Sequence, residues 1–192
     1  MNIKKSLIWF AAIFLLQGCS ETTNQETRIT SKENTQSTSS AFAAIAIPDQ
    51  YGAKISQDIL DQGGNAVDAA IAAGFSLAVT FIDAGNIGGG GFMTIKMGNE
   101  IAFLDYREKA PLAAHKDMYL DQNGNVIENS TLIGGQAVGV PGTVAGFWSA
   151  HQRFGKLPWK DLIEPAISLA EEGFLPAKIL VDDIYNSLNW FG

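Results

Sequence analysis

Gly63-Gly64-Asn65-Ala66-Val67-Asp68-Ala69-Ala70 sets a helix stop directly before a helix start. Two glycines end the preceding helix, because they admit the left-handed turn that closes it at no steric cost. Asn65 suits an N-cap, and Asp68, three residues on, stands where a capping-box acid returns the hydrogen bond. From there to Val79 the residues are small and apolar almost all round: Ala69, Ala70, Ile71, Ala72, Ala73, Leu77 and Ala78. Such a helix predicts a central element packed closely on several sides. Its length and Asp68 argue against a bilayer span.

Toward the N-terminus, Ile55, Ile59 and Leu60 line one side of a helix predicted from about Gln50 to Gln62. Before it, the apolar run Ala41 to Ile47, ended by Pro48, reads as a buried strand. Toward the C-terminus, Phe92 to Met97 and Ile101 to Tyr106 read as strands joined by Gly98-Asn99-Glu100, an antiparallel hairpin. Residues 107–135 look irregular, with a turn at Asp121-Gln122-Asn123-Gly124-Asn125. Pro141 suits a first helical position, for a helix that runs to Phe154 and stops at Gly155. A last helix carries Trp159, Leu162, Ile163, Ala166, Ile167 and Ala170 up to Gly173, kinked or restarted at Pro165. The chain finishes on Asn189-Trp190-Phe191-Gly192, two large aromatics with no visible partner, and that end reads as cut.

Composition narrows the function classes. Of 192 residues 46% are hydrophobic and 17% charged, enough apolar surface for a real core. The net charge of −7 speaks against nucleic acid as a partner, since that binding needs a basic face to neutralise phosphates. One Cys excludes an intramolecular disulfide and a multi-Cys zinc site, and two His leave little for a His-rich metal centre. No metal and no cofactor is therefore expected.

The first residues read as an address. Lys4 and Lys5 precede the apolar run Leu7 to Leu16, too short to span a bilayer and suited to a signal-peptide core. Leu16-Gln17-Gly18-Cys19 is similar to a bacterial lipobox, in which the Cys is acylated and becomes the mature N-terminus. A plain secretory signal with an incidental Cys is the alternative. The expected layout is a signal peptide over residues 1–18, lipidated Cys19 at the head of a Ser/Thr-rich tether over 19–40, and a folded body over 41–192. Several acyl chains on Cys19 would hold the protein to a membrane. Ser20 beside it, rather than Asp, resembles sorting to an outer membrane, facing the periplasm. The tether is too polar to offset its ordering entropy and reaches on the order of 25 Å as a flexible coil.

Two places could carry chemistry. Gly88-Gly89-Gly90-Gly91 is entropically costly to order, so it must serve either a ligand or a close backbone approach. A phosphate cradle fails on spacing, and the run precedes a strand where a cradle would open a helix. A packed turn and a direct site role both remain open. Arg107, at the end of the second hairpin strand, could aim its fork at a carboxylate such as that of an amino acid. A surface ion pair with Asp105 or Glu108 is the plainer reading. No Gly-x-Ser-x-Gly occurs, and Ser76 reads as buried packing in the alanine helix. His115 and His151 read as a loop and a helix-surface residue.

Five blocks taken together closely resemble the γ-glutamyltransferases: Gly63 to Ala70, Gly85-Asn86-Ile87-Gly88-Gly89-Gly90-Gly91-Phe92, Asp105-Tyr106-Arg107-Glu108-Lys109-Ala110-Pro111, Gly139-Val140-Pro141-Gly142-Thr143-Val144-Ala145-Gly146, and Leu169-Ala170-Glu171-Glu172-Gly173-Phe174. They follow in unbroken order over about residues 42–180. The resemblance implies an α+β fold, the αββα sandwich of the N-terminal nucleophile hydrolases, incomplete in this chain. It further implies a precursor that cuts itself into two subunits and a Thr freed at the small subunit's N-terminus. That Thr, activated by its own α-amine, attacks the γ-glutamyl amide of glutathione and passes the acyl group to water or to an acceptor amino acid or peptide. Arg107 matches the family's Arg for the γ-glutamyl α-carboxylate.

The family's Thr-Thr-His-Ser-like segment has no counterpart in these residues. No catalytic residue is therefore expected in this chain. It reads as an anchored N-terminal portion of a large subunit, truncated and inactive alone, with apolar helix faces exposed for want of the rest of the sheet. A related acylase, a capsule γ-polyglutamate transferase and a non-catalytic lipoprotein remnant are the alternatives.

Overall fold

The structure, a computed structural model, describes residues 39–40 and 43–188. The predicted signal segment 1–18, Cys19, the tether up to Thr38 and the aromatic end 189–192 lie outside the described residues. The elements are β1 (Ser39–Ser40), β2 (Ala43–Ala44), α1 (Gln50–Asp61), α2 (Ala66–Thr80), β3 (Phe92–Met97), β4 (Glu100–Asp105), α3 (Thr143–Phe154), α4 (Trp159–Glu172) and α5 (Lys178–Ser187).

Helix α2 is the centre, and it begins as its sequence dictates. Asn65 Oδ1 accepts from the N–H of Val67 and Asp68 at 2.8 and 3.0 Å, and the Asn65 N–H donates to Asp68 Oδ2 at 2.9 Å. Gly63 takes the positive φ of +88° that ends α1. Along α2, Ile71 and Ala72 are wholly buried, and Ser76, also buried, donates back to Ala72 O at 2.8 Å. Helices α1, α3 and α4 pack around it. Gly74 admits the Phe147 ring of α3, since a β-carbon there would stand 2.4 Å from Phe147 Cζ. Phe75 meets Phe147 and Trp159 edge-on, with ring centroids 5.3 and 5.5 Å apart. Ile59, Ile71 and Leu162 are among the largest fully buried side chains, each worth about 1.5–3 kcal/mol of burial.

Strands β3 and β4 form the predicted hairpin, in register from Phe92↔Asp105 to Met97↔Glu100. The turn is Gly98-Asn99, one residue shorter than the sequence suggested. Gly98 takes φ +60° at its first position, the pattern of a II′-type turn whose twist suits a hairpin. Alternation puts the Ile95↔Ala102 pair into the core and leaves Phe92, Ile101 and Phe103 on the outer face.

Several expectations need correction. Of the described residues 43–47 of the predicted strand, Ala43–Ala44 pair, with Ser39–Ser40, and residues 43–47 alternate between half-buried and exposed instead of entering the core. Pro141 lies outside α3, which starts at Thr143. Its cap is a distant carbonyl, Gly89 O, accepting from the N–H of Gly142 and Thr143 at 2.8 and 3.1 Å. Helix α4 runs through Pro165 without restarting. Helix α5 was not anticipated: its N-cap, Ala177, makes no side-chain bond, and it buries Leu180 while Ile179 and Ile184 stay exposed. His151 is half-buried between Trp148 and Trp159, its Nε2 2.8 Å from Leu157 O. Among the described residues no helix is long and apolar enough to cross a membrane, and no group of three or more His, Cys, Asp or Glu could hold a metal ion.

Candidate functional site

The hairpin delivers Arg107 two residues past the last residue of β4. Its position is set by backbone ties on both sides. Before it, the Tyr106 N–H donates to Gly91 O at 3.0 Å and the Gly91 N–H to Tyr106 O at 3.4 Å. After it, the Lys109 N–H donates to Val140 O at 3.2 Å and the Val140 N–H to Lys109 O at 2.8 Å. The Arg107 N–H itself is received by Asp105 Oδ1 at 3.0 Å. The Arg107 segment thus lies between the glycine loop and the strand-like entry to α3.

A cavity of about 450 Å³ opens here, within the range of roughly 300–1,000 Å³ usual for small-molecule sites. Arg107, Lys109 and Asp105 give it two cations against one carboxylate, and Tyr106, Gly142 and Ser149 are among its walls. That balance favours an anionic guest. Burial pushes the Tyr106 phenol above its ordinary value, so it stays a neutral donor, placed 3.5 Å from Phe92 O. No histidine or cysteine lines the cavity. The arrangement can hold and orient a carboxylate.

Arg107 is among the residues that line the cavity, and its Nε lies 3.4 Å from Glu108 Oε2, with the Arg side chain 68% exposed. An exposed pair of that kind is worth little and yields readily to a carboxylate that accepts two parallel bonds. The glycine run is a packed turn against this same segment. A β-carbon on Gly90 would lie 2.6 Å from Tyr106 O, and one on Gly85 2.5 Å from Leu77 O. None of Gly85, Gly88, Gly89, Gly90 and Gly91 has a positive φ, so at Gly85 and Gly90 room and not dihedral freedom is what a glycine supplies, while Gly88 has open space around it. Sequence reasoning missed Gly142 and Gly146 as neighbours of the site; β-carbons there would stand 1.9 Å from Tyr106 O and 2.1 Å from Tyr106 Cγ. Their spacing of four, one face of a helix, was the available signal. Lys109 was also missed. Cys19, the other residue singled out, lies outside the described residues.

The family profile described as Gamma-glutamyltranspeptidase matches residues 52–191. The chain belongs to the gamma-glutamyltranspeptidase family. It is 62% identical over 142 residues to a glutathione hydrolase proenzyme of Pseudomonas aeruginosa, an alignment covering 71% of this chain and 26% of that protein. To the glutathione hydrolase proenzyme of Escherichia coli it is 47% identical, over 73% of this chain and 24% of that one. The chain therefore spans about a quarter of the length of the curated relatives it matches. Among solved structures, the gamma-glutamyltranspeptidase of Pseudomonas nitroreducens complexed with L-DON superposes with a TM-score of 0.75 at 55% identity, over 80% of this chain and 46% of that chain. The α+β fold is accordingly that of the N-terminal nucleophile hydrolases, and the described residues of this gamma-glutamyltranspeptidase relative supply a helical layer and one hairpin of it.

Proposed function

We propose that this chain supplies the donor-binding part of an enzyme that cleaves the γ-glutamyl bond of glutathione and passes the γ-glutamyl group to water or to an acceptor amino acid or peptide. One observation carries the reading: Arg107, tied down on both sides, lines a cavity whose other charged walls are Lys109 and Asp105. Its fork receives the α-carboxylate, while Asp105 stands at the same wall as a partner for the α-ammonium.

The attacking hydroxyl belongs to a Thr outside these 192 residues, exposed when a precursor cuts itself and frees a small subunit. Its α-amine takes the hydroxyl proton as the oxygen adds to the γ-carbonyl, and backbone N–H groups hold the oxyanion. Collapse breaks the C–N bond, the leaving amine takes the proton, and water or an acceptor amine then resolves the acyl-enzyme. The 192 residues alone bind the donor and do not turn it over. Cys19 carries acyl chains that hold the protein at the outer membrane, facing the periplasm.

The test is kinetic, on the full-length gene product that carries this sequence. Arg107→Ala raises the KM for glutathione at least about tenfold with a smaller change in kcat, as loss of a ground-state contact requires. An unchanged KM removes the anchor. For the membrane, Cys19→Ser moves the protein from the membrane to the soluble fraction on cell fractionation; a variant still sedimenting with membranes contradicts the lipid anchor.

A further inference from the structure

Within the glycine run, a β-carbon would come closest to the backbone that carries Arg107 at position 90. A β-carbon at position 90 would stand 2.6 Å from Tyr106 O, 2.7 Å from the Glu108 amide nitrogen and 2.9 Å from the Arg107 carbonyl carbon. All three are backbone atoms, within a segment pinned by hydrogen bonds to Gly91 and Val140, so none can yield as a flexible side chain does. Gly88, two residues away, would meet nothing within 4 Å. The run thus contains one position where the absence of a side chain sets the path of the anchor, and a neighbour where it does not.

A second glycine crowds the same carbonyl. Gly142 would drive a β-carbon to 1.9 Å from Tyr106 O, and its N–H, with that of Thr143, donates to Gly89 O. The glycine loop therefore does two jobs through adjacent residues: Gly89 O caps α3, and Gly90 leaves the gap into which the Arg107 peptide fits. A two-bond fork tolerates little misplacement of the group that carries it.

We propose that Gly90 is a positioning residue for the carboxylate anchor, holding the Arg107 backbone where its guanidinium meets the α-carboxylate of a γ-glutamyl donor. The inference rests on the anchor reading of Arg107 given above. Gly90 touches no substrate. Any side chain at 90 displaces the peptide between Tyr106 and Glu108 and with it the direction of the fork.

The test uses the full-length gene product and two ligands titrated calorimetrically: L-glutamate, and 4-aminobutyrate, which keeps the amine and the distal carboxylate but lacks the α-carboxylate. The ratio of their affinities reads the anchor itself, because partial unfolding lowers both alike. Wild type and Gly88→Ala prefer L-glutamate; Arg107→Ala loses the preference; Gly90→Ala, with an unchanged circular dichroism spectrum, loses about tenfold of it. If Arg107→Ala loses the preference while Gly90→Ala keeps it, the positioning role is wrong and the anchor stands. If wild type has no preference, or Arg107→Ala keeps it, the anchor fails and the positioning role with it. Should Gly90→Ala not fold, wild type alone decides by nuclear magnetic resonance. The Gly90 amide then shifts with the Arg107 Nε as L-glutamate is added while the Gly88 amide stays put; a Gly90 amide that does not respond overturns the proposal.

Discussion

Arg107 shows how little a single side chain says until its surroundings are known. Its charge permits a weak surface pair or a binding site, and the residues next to it, Asp105 and Glu108, support the first. The distinguishing fact is that the peptide on either side is bonded to segments far off in the chain, at Gly91 and Val140. A guanidinium on a fixed base can be selective; one on a loose loop cannot. Lysine would keep the charge and lose the planar fork, so Arg107→Lys is expected to fall between wild type and Arg107→Ala in KM for glutathione, closer to the alanine variant. Steady-state kinetics of the three proteins side by side check this. A lysine variant equal to wild type would mean that charge alone is being used.

At the scale of elements, the capping box of α2 serves more than α2. Asp68 is fully buried, and besides closing the cap it accepts from the Lys156 N–H at 3.0 and 3.1 Å and the Leu157 N–H at 3.4 Å. Asn65 donates to Phe154 O at 2.6 Å. Asn65 and Asp68 thus pin the connection between α3 and α4, and with it the start of the helix that carries Trp159. Asp68→Ala leaves three part-buried N–H groups without their acceptor and is expected to cost about 1–3 kcal/mol, read as a lower urea midpoint with an unchanged slope. A loss below about 1 kcal/mol would mean that water replaces the carboxylate there. The sequence showed the cap plainly, because capping is a contest between residues three apart. It could not show the cross-link, whose partners are separated by 88 residues.

At the scale of the molecule, exposed apolar surface lies on helices, as the sequence suggested, and also on the hairpin. The alanine-rich helix is covered by its neighbours, with nine of its residues buried. Other helices do expose apolar residues, among them Val144, Trp148 and Ile179, and the hairpin's outer face adds to them: Phe92, Ile101 and Phe103 are 55%, 71% and 64% exposed, with the two phenyl rings stacked 5.8 Å apart. A strand pair with one bare apolar face adheres to whatever apolar surface it meets. The 192-residue chain alone is expected to self-associate in sedimentation velocity, and Phe103→Lys to shift it toward monomer without loss of helical signal. Association unaffected by that change would place the sticky surface elsewhere.

What the sequence settled by itself were matters of short range: the ends of α1 and α2, the hairpin and its alternation, and motifs specific enough to place the chain in its family. These follow from interactions between residues two to four apart, which a linear reading resolves. Tertiary structure decided the rest. The described residues 43–47 have strand composition but pair only at Ala43–Ala44, α3 takes its cap from a carbonyl in the glycine loop, and His151 is half-buried between two tryptophans. The purpose of Gly90 belongs to the same class. Whether a glycine gives freedom of dihedral or freedom of space depends on which atoms arrive beside it, and those atoms come from the far side of a hairpin.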